Sequence, residues 1–397
     1  MELKRLAREA RDKYMASPTQ NKTVERTILE LSAIGSKNVR DYLSNARALI
    51  LRSRGHSSDQ LKKRRKNMSR QRLISVIRKH IQPILSKADT IRSRLGFARL
   101  VREYTKDLMP CLSVENTKLT LTNARGTAVV TFDKRIGSES MHGAAYLNTG
   151  KGFRKLLKFS CKLMDQRRGH ALEVTILKEM TTLVEKHVCP NFPITYRVMR
   201  CNELCAHDCP RAIRDEQYYV VMSELADADL STHLRRKYDG ATYESLLMQM
   251  IFAVYFFHQM GYNHNDCHLG NFLVHKITPG GYWKYRIDTV DVFVPNTGHL
   301  LVIWDPGMAT WGSDRDYGED YRMCFGDMAS LNGVPRNIRS NIVTPVMDVL
   351  NNGPRFHRES DFVEAVLNRI FPQHVRRGDI PNRAVLNTRP YTLSRYQ

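Results

Sequence analysis

Several common sequence features are absent from this chain of 397 residues. No stretch approaches the roughly 20 consecutive apolar residues that a bilayer-spanning helix needs. The best candidate, residues 248–260, is interrupted by two glutamines and a histidine. The first eight residues carry a charge every few positions, which is not the pattern of a secretory signal. No internal repeat or long low-complexity segment occurs. These absences predict a soluble, intracellular, globular protein.

Cysteine is also scarce, with eight residues in the whole chain. Without a secretory signal, so few cysteines favour reduced thiols over a disulfide framework. Cys201, Cys205 and Cys209 lie close together around His207, and such sulfur and nitrogen ligands could hold Zn²⁺. The spacing differs from the usual Cys-x₂-Cys knuckle, so reduced thiols are the favoured interpretation and zinc is the alternative.

Acidic residues are few in the first part of the chain. The formal net charge is +22, from 62 basic and 40 acidic residues. Residues 1–110 hold 27 basic and 10 acidic side chains, a net of +17, which leaves +5 for the other 287 residues. This imbalance predicts a basic N-terminal segment, residues 1–110, that binds anionic partners, either nucleic acid or acidic proteins. Aromatic residues are rare there, so stacking on bases is not expected.

The basic run at residues 62–66 has three open interpretations. It is a solvated loop between helices, a nuclear-import signal or a phosphate-binding patch. Apolar residues recur at helical spacing on both sides of it, within residues 24–34, 39–50 and 73–81, and predict helices.

The pattern changes after residue 110. Two β-branched stretches, residues 118–122 and 127–132, predict a hairpin. Strands then dominate to about residue 222, with one helix near residues 168–186. The remainder is mostly helical, with an additional hairpin expected at residues 282–295. The predicted fold class is therefore α+β, with a β-rich lobe at residues 111–222 and a helical lobe at residues 223–397.

The most informative stretch, residues 262–274, follows an apolar helix and leads into a strand. Asp266 and Asn271 lie five positions apart on this loop and would present a carboxylate base and an amide oxygen to one site. Asp305 follows a second apolar strand within an Asp-x-Gly sequence. Phosphoryl transfer needs a group that orients the attacking hydroxyl and oxygen ligands for Mg²⁺, and these three residues supply both.

Upstream residues complete the set of groups that phosphoryl transfer needs. Lys162 lies on a short strand, and Glu173 lies on the helix that follows it. A lysine that binds phosphates needs an orienting carboxylate, which Glu173 supplies. Taken singly, each is better explained as a surface residue of its strand or helix, and only the whole set favours a nucleotide site. A small-residue turn with Gly137 and Gly143 precedes them and could cover a nucleotide.

These motifs, in this order, resemble the eukaryotic-type protein kinase superfamily over roughly residues 130–375. The loop at residues 265–271 looks most like that of the divergent serine/threonine kinases of large nucleocytoplasmic DNA viruses. The resemblance implies a two-lobed kinase fold that binds ATP and Mg²⁺, with Mn²⁺ as an alternative, and a protein substrate. It also implies a location in the host cytoplasm or nucleus, or packaging in the virion.

The resemblance assigns a role to each residue of the set. Asp266 matches the catalytic base, Asn271 and Asp305 match the metal ligands, and Lys162 and Glu173 match the phosphate-binding ion pair. The remaining matches are the hinge residues Met222, Glu224 and Leu225, the ribose contact Asp229, the phosphate-covering glycines Gly137 and Gly143, and the loop anchor Asp327. His268 stands two residues after the base, where it would contact the γ-phosphate or make a structural hydrogen bond.

The chain also departs from the kinase pattern. The glycine turn lacks its middle glycine, no arginine precedes Asp266, and Pro306 replaces the usual phenylalanine. No Ala-Pro-Glu motif follows, and only 22 positions separate Asp305 from Asp327. These departures leave open a pseudokinase or a small-molecule kinase, and the charge of residues 1–110 leaves open a scaffold that acts through its basic segment.

Overall fold

The structure, a computed structural model, describes residues 91–376 apart from residues 116–117, 141–142, 151–157, 167, 206–208, 237, 289, 313–316 and 355. The helices expected within residues 24–81 and the basic run at residues 62–66 lie outside the described residues. Within the described ranges, each helix is too short or too polar to span a bilayer.

The described chain is a mixture of helices and strands. The helices are α1 Ile91–Tyr104, α2 Arg168–Glu185, α3 Leu230–Leu234, α4 Gly240–Gln259, α5 Gly318–Ser330, α6 Arg336–Ile338, α7 Thr344–Asn352 and α8 Glu359–Ile370. The strands are β1 Leu108–Glu115, β2 Lys118–Asn123, β3 Ala128–Ser140, β4 Gly143–Gly150, β5 Lys158–Asp165, β6 Thr195–Cys201, β7 Tyr218–Ser223, β8 Ala228–Asp229, β9 Tyr262–Asn263, β10 Phe272–Lys276, β11 Tyr282–Ile287, β12 Val290–Pro295, β13 His299–Ile303, β14 Thr310–Trp311 and β15 Val375–Arg376.

A seven-stranded antiparallel sheet forms the first half of the described chain, in the order β1-β2-β3-β4-β5-β7-β6. The predicted hairpin is confirmed as β2 and β3, which pair antiparallel around a turn at residues 124–127. The additional hairpin is confirmed as β11 and β12, with Tyr282 opposite Pro295. Mixed helix and strand content with one large antiparallel sheet is what the alternating and helical periodicities predicted.

The two edge strands of this sheet, β1 and β6, lie against each other. Their contact brings the Cα atoms of Cys111 and Cys201 to 4.9 Å, and the two cysteines form a disulfide. A second disulfide joins Cys205 and Cys209. The prediction of reduced thiols is therefore wrong for these four residues. Cys111 and Cys201 lie 90 positions apart and are brought together by the contact of β1 with β6, whereas Cys205 and Cys209 lie four positions apart.

The zinc alternative fails for the same reason. The sulfurs of Cys201, Cys205 and Cys209 are committed to disulfides and cannot act as thiolate ligands. In the described part of the chain, no group of three or more histidine, cysteine or acidic side chains has the arrangement of a metal site.

Helix α1 packs against the sheet through one apolar face. Leu95, Ala98, Val101 and Tyr104 recur every three residues and are all buried in the hydrophobic core. Residues 91–104, which the charge distribution placed in the basic segment, therefore contribute to the same core as the sheet.

Two features of the second half position the site. Helix α4 is buried along nearly its whole length, so it forms the centre of the helical region and fixes the loop that follows. Strands β10 and β13 pair antiparallel, with Phe272 opposite Ile303. This register places Asn271, just before β10, at the same end as Asp305, just after β13.

Candidate active site

Lys162 links three elements of the structure at one point. It lies on β5 opposite Val221 of β7 and is 8% exposed. Its Nζ lies 2.6 Å from Glu173 Oε1 on α2 and 2.6 Å from Asp305 Oδ1, which follows β13. The structure thus brings together a lysine and two carboxylates that the sequence separates by up to 143 positions.

The charges of this cluster are strongly coupled. Burial acts to lower the pKa of Lys162, but the carboxylates of Glu173 and Asp305 outweigh it and raise that pKa above its ordinary value. Burial raises the pKa of Glu173 in spite of the adjacent ammonium. For Asp305 desolvation also acts upward, yet Lys162 outweighs it and lowers the pKa. The lysine therefore stays charged and Asp305 stays ionised at neutral pH.

Gly307 lies next to the carboxylates of Glu173 and Asp305. A Cβ atom at that position would lie 3.2 Å from Glu173 Oε2 and 3.4 Å from Asp305 Oδ1, tighter than most real contacts. Asp305 itself adopts a left-handed backbone with φ of 58°, which aspartate tolerates better than most residues. A side chain at residue 307 would therefore press on the carboxylates of Glu173 and Asp305.

Asp266 and Asn271 are joined directly. Asn271 Nδ2 donates to the Asp266 backbone oxygen and to Asp266 Oδ2, both at 2.8 Å. This bond orients the carboxylate, whose side chain is 39% exposed, and leaves Asn271 Oδ1 outside the pair. The Asn271 backbone oxygen accepts from Trp304 N at 2.7 Å, which ties the loop to the residue before Asp305.

His268 makes the structural hydrogen bond that was one of its two predicted roles. Its Nδ1 accepts from Gly270 N at 3.0 Å, and a Cβ atom at residue 270 would lie only 2.7 Å from the imidazole Cε1. A neutral ring that accepts at Nδ1 carries its proton on Nε2. That Nε2 lies 3.7 Å from Asp266 Oδ2, and the side chain is 46% exposed.

Two aspartates of α5 anchor the loop. Buried Asp320 accepts from His264 N at 2.7 Å and from Asn265 N at 2.8 Å. Asp327, the predicted anchor, is half-buried and accepts from Leu269 N at 2.8 Å. The anchoring is therefore divided: Asp320 fixes the backbone before Asp266 and Asp327 fixes the backbone after it. Sequence reasoning missed Asp320, although a second acidic residue seven positions before Asp327 places both on one helix face.

His258 forms an ion pair with Asp320, and sequence reasoning missed this residue too. Its Nε2 lies 2.8 Å from Asp320 Oδ2, and its Nδ1 lies 2.7 Å from Glu359 Oε1 on α8. Tyr321 Oη donates to the same Glu359 oxygen at 2.8 Å. Burial acts to lower the pKa of His258, but the two carboxylates outweigh it and raise that pKa to about 9. The imidazole is therefore a buried cation at neutral pH.

The predicted hinge residues occupy three different environments. Met222 is fully buried between Cys161 and Arg197 in the sheet register. Leu225 is half-buried, whereas the side chain of Glu224 is 9% exposed and turned into the protein, where it pairs with Arg94.

Asp229 caps helix α3. Its Oδ1 accepts from Thr232 N at 2.7 Å, the usual bond of an N-terminal cap. The structure therefore gives Asp229 a local role at the position where a ribose contact was expected.

The two predicted glycines belong to the β3–β4 hairpin. Gly137 lies within β3 and Gly143 begins β4, while residues 141–142 between the strands lie outside the described residues. A Cβ atom on Gly143 would collide with the backbone oxygen of Leu163, so the close approach of β4 to β5 requires glycine there. The prediction that these glycines cover phosphates stays a prediction.

The arrangement as a whole is suited to phosphate chemistry. A charged lysine lies beside an ionised aspartate, and the bond from Trp304 N to the Asn271 backbone oxygen connects this pair to Asn271 and the partly exposed carboxylate of Asp266. Such groups bind phosphates and divalent cations.

Comparison with known proteins finds two viral relatives whose names are those of serine/threonine kinases. The protein 019R of Frog virus 3 (isolate Goorha), which bears a serine/threonine-protein kinase name, is 25% identical over 154 residues. That match covers 37% of this chain and 18% of the relative. The protein 380R of Invertebrate iridescent virus 6, with a name of the same kind, is 31% identical over 144 residues, or 33% of this chain and 25% of the relative. No protein-family model matches the chain.

The chain is thus related to divergent viral serine/threonine kinases over about a third of its length, and the predicted resemblance is confirmed. The matched regions span a quarter or less of the length of these curated relatives.

Proposed function

We propose that the protein is an ATP- and Mg²⁺-dependent serine/threonine protein kinase with a two-lobed kinase fold. The observation that carries the proposal is the position of Lys162, whose Nζ lies 2.6 Å from both Glu173 and Asp305. Such an arrangement holds a charged lysine ready for phosphate oxygens and keeps an ionised carboxylate beside it. The kinase names of the two viral relatives support the same reaction.

The residues fit a divalent cation. Asn271 uses its Nδ2 to bind Asp266, so its Oδ1 is the side-chain atom left for a metal. Asp305 is ionised and its side chain is 38% exposed. Mg²⁺ typically takes one or two protein oxygens and completes its shell with water and substrate phosphates. Bound there, Mg²⁺ would neutralise phosphate charge, and Mn²⁺ suits the same ligands.

The other residues then have definite tasks. Asp266 accepts the proton of the attacking hydroxyl, and Asn271 holds that carboxylate in place. Lys162 binds phosphate oxygens while Glu173 fixes its position. The Nε2–H of His268 points to a contact with the γ-phosphate, since its Nδ1 is already occupied.

The nucleotide's other end would lie along the strand β7 and the residues after it. Met222 would back the adenine, and the backbone of Glu224 and Leu225 would bind its edge. Asp229 would contact the ribose, and the hairpin with Gly137 and Gly143 would cover the phosphates. These roles follow from the kinase resemblance.

A small-molecule kinase is the second candidate. Helix α5 begins at Gly318, so only the twelve residues 306–317 follow Asp305 before it. So short a segment leaves little chain to form a peptide-binding groove. A third alternative, a scaffold that binds nucleic acid or acidic protein through residues 1–110, stays a prediction, because most of that segment lies outside the described residues.

The test is phosphoryl transfer from γ-labelled ATP with Mg²⁺ to basic and acidic model proteins. Asp266→Asn removes the base and should reduce transfer by about 10³-fold. Asp348→Asn, a matched change in a surface ion pair, should leave transfer unchanged. Transfer to small acceptors alone would favour the second candidate. Absence of transfer, or transfer indifferent to Asp266→Asn, would contradict the protein kinase proposal.

A further inference from the structure

Arg94 of helix α1 is buried against the predicted hinge. It is 2% exposed, and its Nη1 and Nη2 donate to the backbone oxygens of Pro190 and Phe192 at 2.7 and 2.6 Å. The same guanidinium holds Glu224 in a two-pronged ion pair, with Nε 3.1 Å from Oε2 and Nη2 2.5 Å from Oε1. All three nitrogens of this guanidinium are therefore bonded, two of them to a residue 130 positions away.

Glu224 is correspondingly fixed on several sides. Ile194 N donates to its Oε1 at 3.1 Å, and its own backbone N donates to Ile194 O at 3.1 Å. His275 Nε2 lies 3.5 Å from Oε1. Burial acts to raise the pKa of Glu224, but Arg94 and His275 outweigh it and lower that pKa to about 2. The pair is thus ionised and deeply buried, and removing one partner would leave an uncompensated charge inside the protein.

Helix α1 also contacts the helix that carries Glu173. Arg102 donates to the backbone oxygens of Thr195 and Tyr196 at 3.1 and 3.0 Å, and its Nη1 lies 2.5 Å from Glu185 Oε1 at the end of α2. Arg102 and Glu185 are both more than a third exposed, so this pair is a weak surface interaction. The buried Arg94 contact is the strong one.

We propose that Arg94 is a positioning residue for the adenine end of the nucleotide site. By holding the Glu224 side chain inside the protein, it fixes the backbone of residues 223–225, which the adenine would contact. This inference rests on the proposed kinase function. It predicts that Arg94 controls affinity for the nucleoside part of ATP and leaves the phosphate contacts of Lys162 intact.

The test is calorimetric titration of the full-length protein with adenosine, ADP and ATP–Mg²⁺. Arg94→Met should weaken all three by about the same factor, on the order of tenfold, because the adenine is common to them. Lys162→Met should weaken ADP and ATP but not adenosine. Arg99→Met, an exposed arginine of the same helix, should leave all three affinities unchanged.

Two further variants distinguish a loss of positioning from a loss of folding. Arg94→Lys keeps the charge but lacks the planar fork, so it should fold and still bind adenosine more weakly than the wild type. Adding Glu224→Gln to Arg94→Met removes the unpaired carboxylate and should recover stability but not adenosine affinity, because the guanidinium that holds residue 224 is still missing.

The outcomes separate this inference from the proposed function. Arg94 variants that fold and bind adenosine as tightly as the wild type would overturn the positioning role and leave the kinase proposal standing. A wild-type protein that binds neither adenosine nor ATP would overturn both.

Discussion

Two clusters in this protein each place one cation between two carboxylates. The Lys162 cluster comprises Lys162, Glu173 and Asp305, and the His258 cluster comprises His258, Asp320 and Glu359. They differ in exposure: Asp305 is 38% exposed, whereas no side chain of the His258 cluster exceeds 7%. The Lys162 cluster is therefore the open cluster, and it can exchange a contact for a ligand. The His258 cluster is the closed cluster, and it can only hold its neighbours in place. The same charge pattern thus supplies the chemistry in one place and the support in another.

A short path joins the two clusters. Asp320 accepts from His264 N, and His264 Nε2 lies 2.9 Å from the backbone oxygen of Trp304, the residue before Asp305. The His258 cluster is therefore connected, through His264, to the backbone immediately before Asp305. This connection suggests that damage to the His258 cluster would be seen first in stability, whereas damage to the Lys162 cluster would be seen first in activity.

The largest expected effect is on catalysis by Lys162→Met. Removing the ammonium eliminates the phosphate contact, so transfer from ATP should fall by about 10³-fold, or ~4 kcal/mol in the barrier. Stability should change little, because Asp305 is partly exposed and Glu173, whose pKa burial already raises, can take up a proton. Transfer assays and thermal unfolding of the same preparation check both parts.

Lys158→Met is a suitable control, since that exposed lysine lies on the same strand β5. It should transfer phosphate like the wild type. A Lys162→Met protein that retains a tenth or more of the activity would remove the open cluster from the mechanism.

The next effect is on stability, from His258→Gln. The substitution leaves Asp320 and Glu359 buried without their cation, and breaking such a buried pair costs about 3 kcal/mol. Urea denaturation should show this loss of unfolding free energy. Tyr321→Phe removes only the hydrogen bond to Glu359 and should cost about 1 kcal/mol. If His258→Gln were no more destabilising than Tyr321→Phe, the His258 cluster would not stabilise the fold as proposed.

A smaller effect concerns pH. The pKa of His258 is raised from about 6.5 when unfolded to about 9 when folded, so the folded protein binds the proton more tightly. That contribution is fully present below pH 6.5 and is lost as pH rises through 9. Asp320, Glu359 and Tyr321 are the titratable groups in contact with the ring.

Between pH 7 and 9 the loss should be about 2 kcal/mol, measured as the difference between wild type and His258→Gln. Equal pH dependence of the two proteins would show that His258 does not carry the charge.

The open cluster was largely predictable from sequence, whereas the closed one was not. Lys162 lies within strand β5 and Asp305 follows strand β13, and the strand pattern around each is visible locally. Glu173 follows from a helix expected at residues 168–186 and found at Arg168–Glu185. The kinase resemblance connected these local signals in the right order.

Apart from the Cys205–Cys209 disulfide, which joins residues four positions apart, the missed features depend on tertiary contacts between distant positions. His258 and Glu359 lie 101 positions apart, Arg94 and Glu224 lie 130 apart, and Cys111 and Cys201 lie 90 apart. A buried ion pair looks like two ordinary surface charges until its partner is known, because each residue type is usually exposed. The Cys111–Cys201 disulfide was missed because β1 and β6 stand at opposite ends of the strand order, and their meeting is a tertiary contact.

The central claim, that the open cluster binds a nucleotide with its metal, is tested most directly by the effect of Mg²⁺ on ADP affinity. In the wild type, Mg²⁺ should strengthen ADP binding by about tenfold or more. Asp305→Asn should abolish that strengthening, whereas Asp320→Asn, the matched change in the closed cluster, should retain it in whatever fraction stays folded. Wild-type ADP affinity that ignores Mg²⁺, or an Asp305→Asn protein that responds to Mg²⁺ as the wild type does, would contradict the claim.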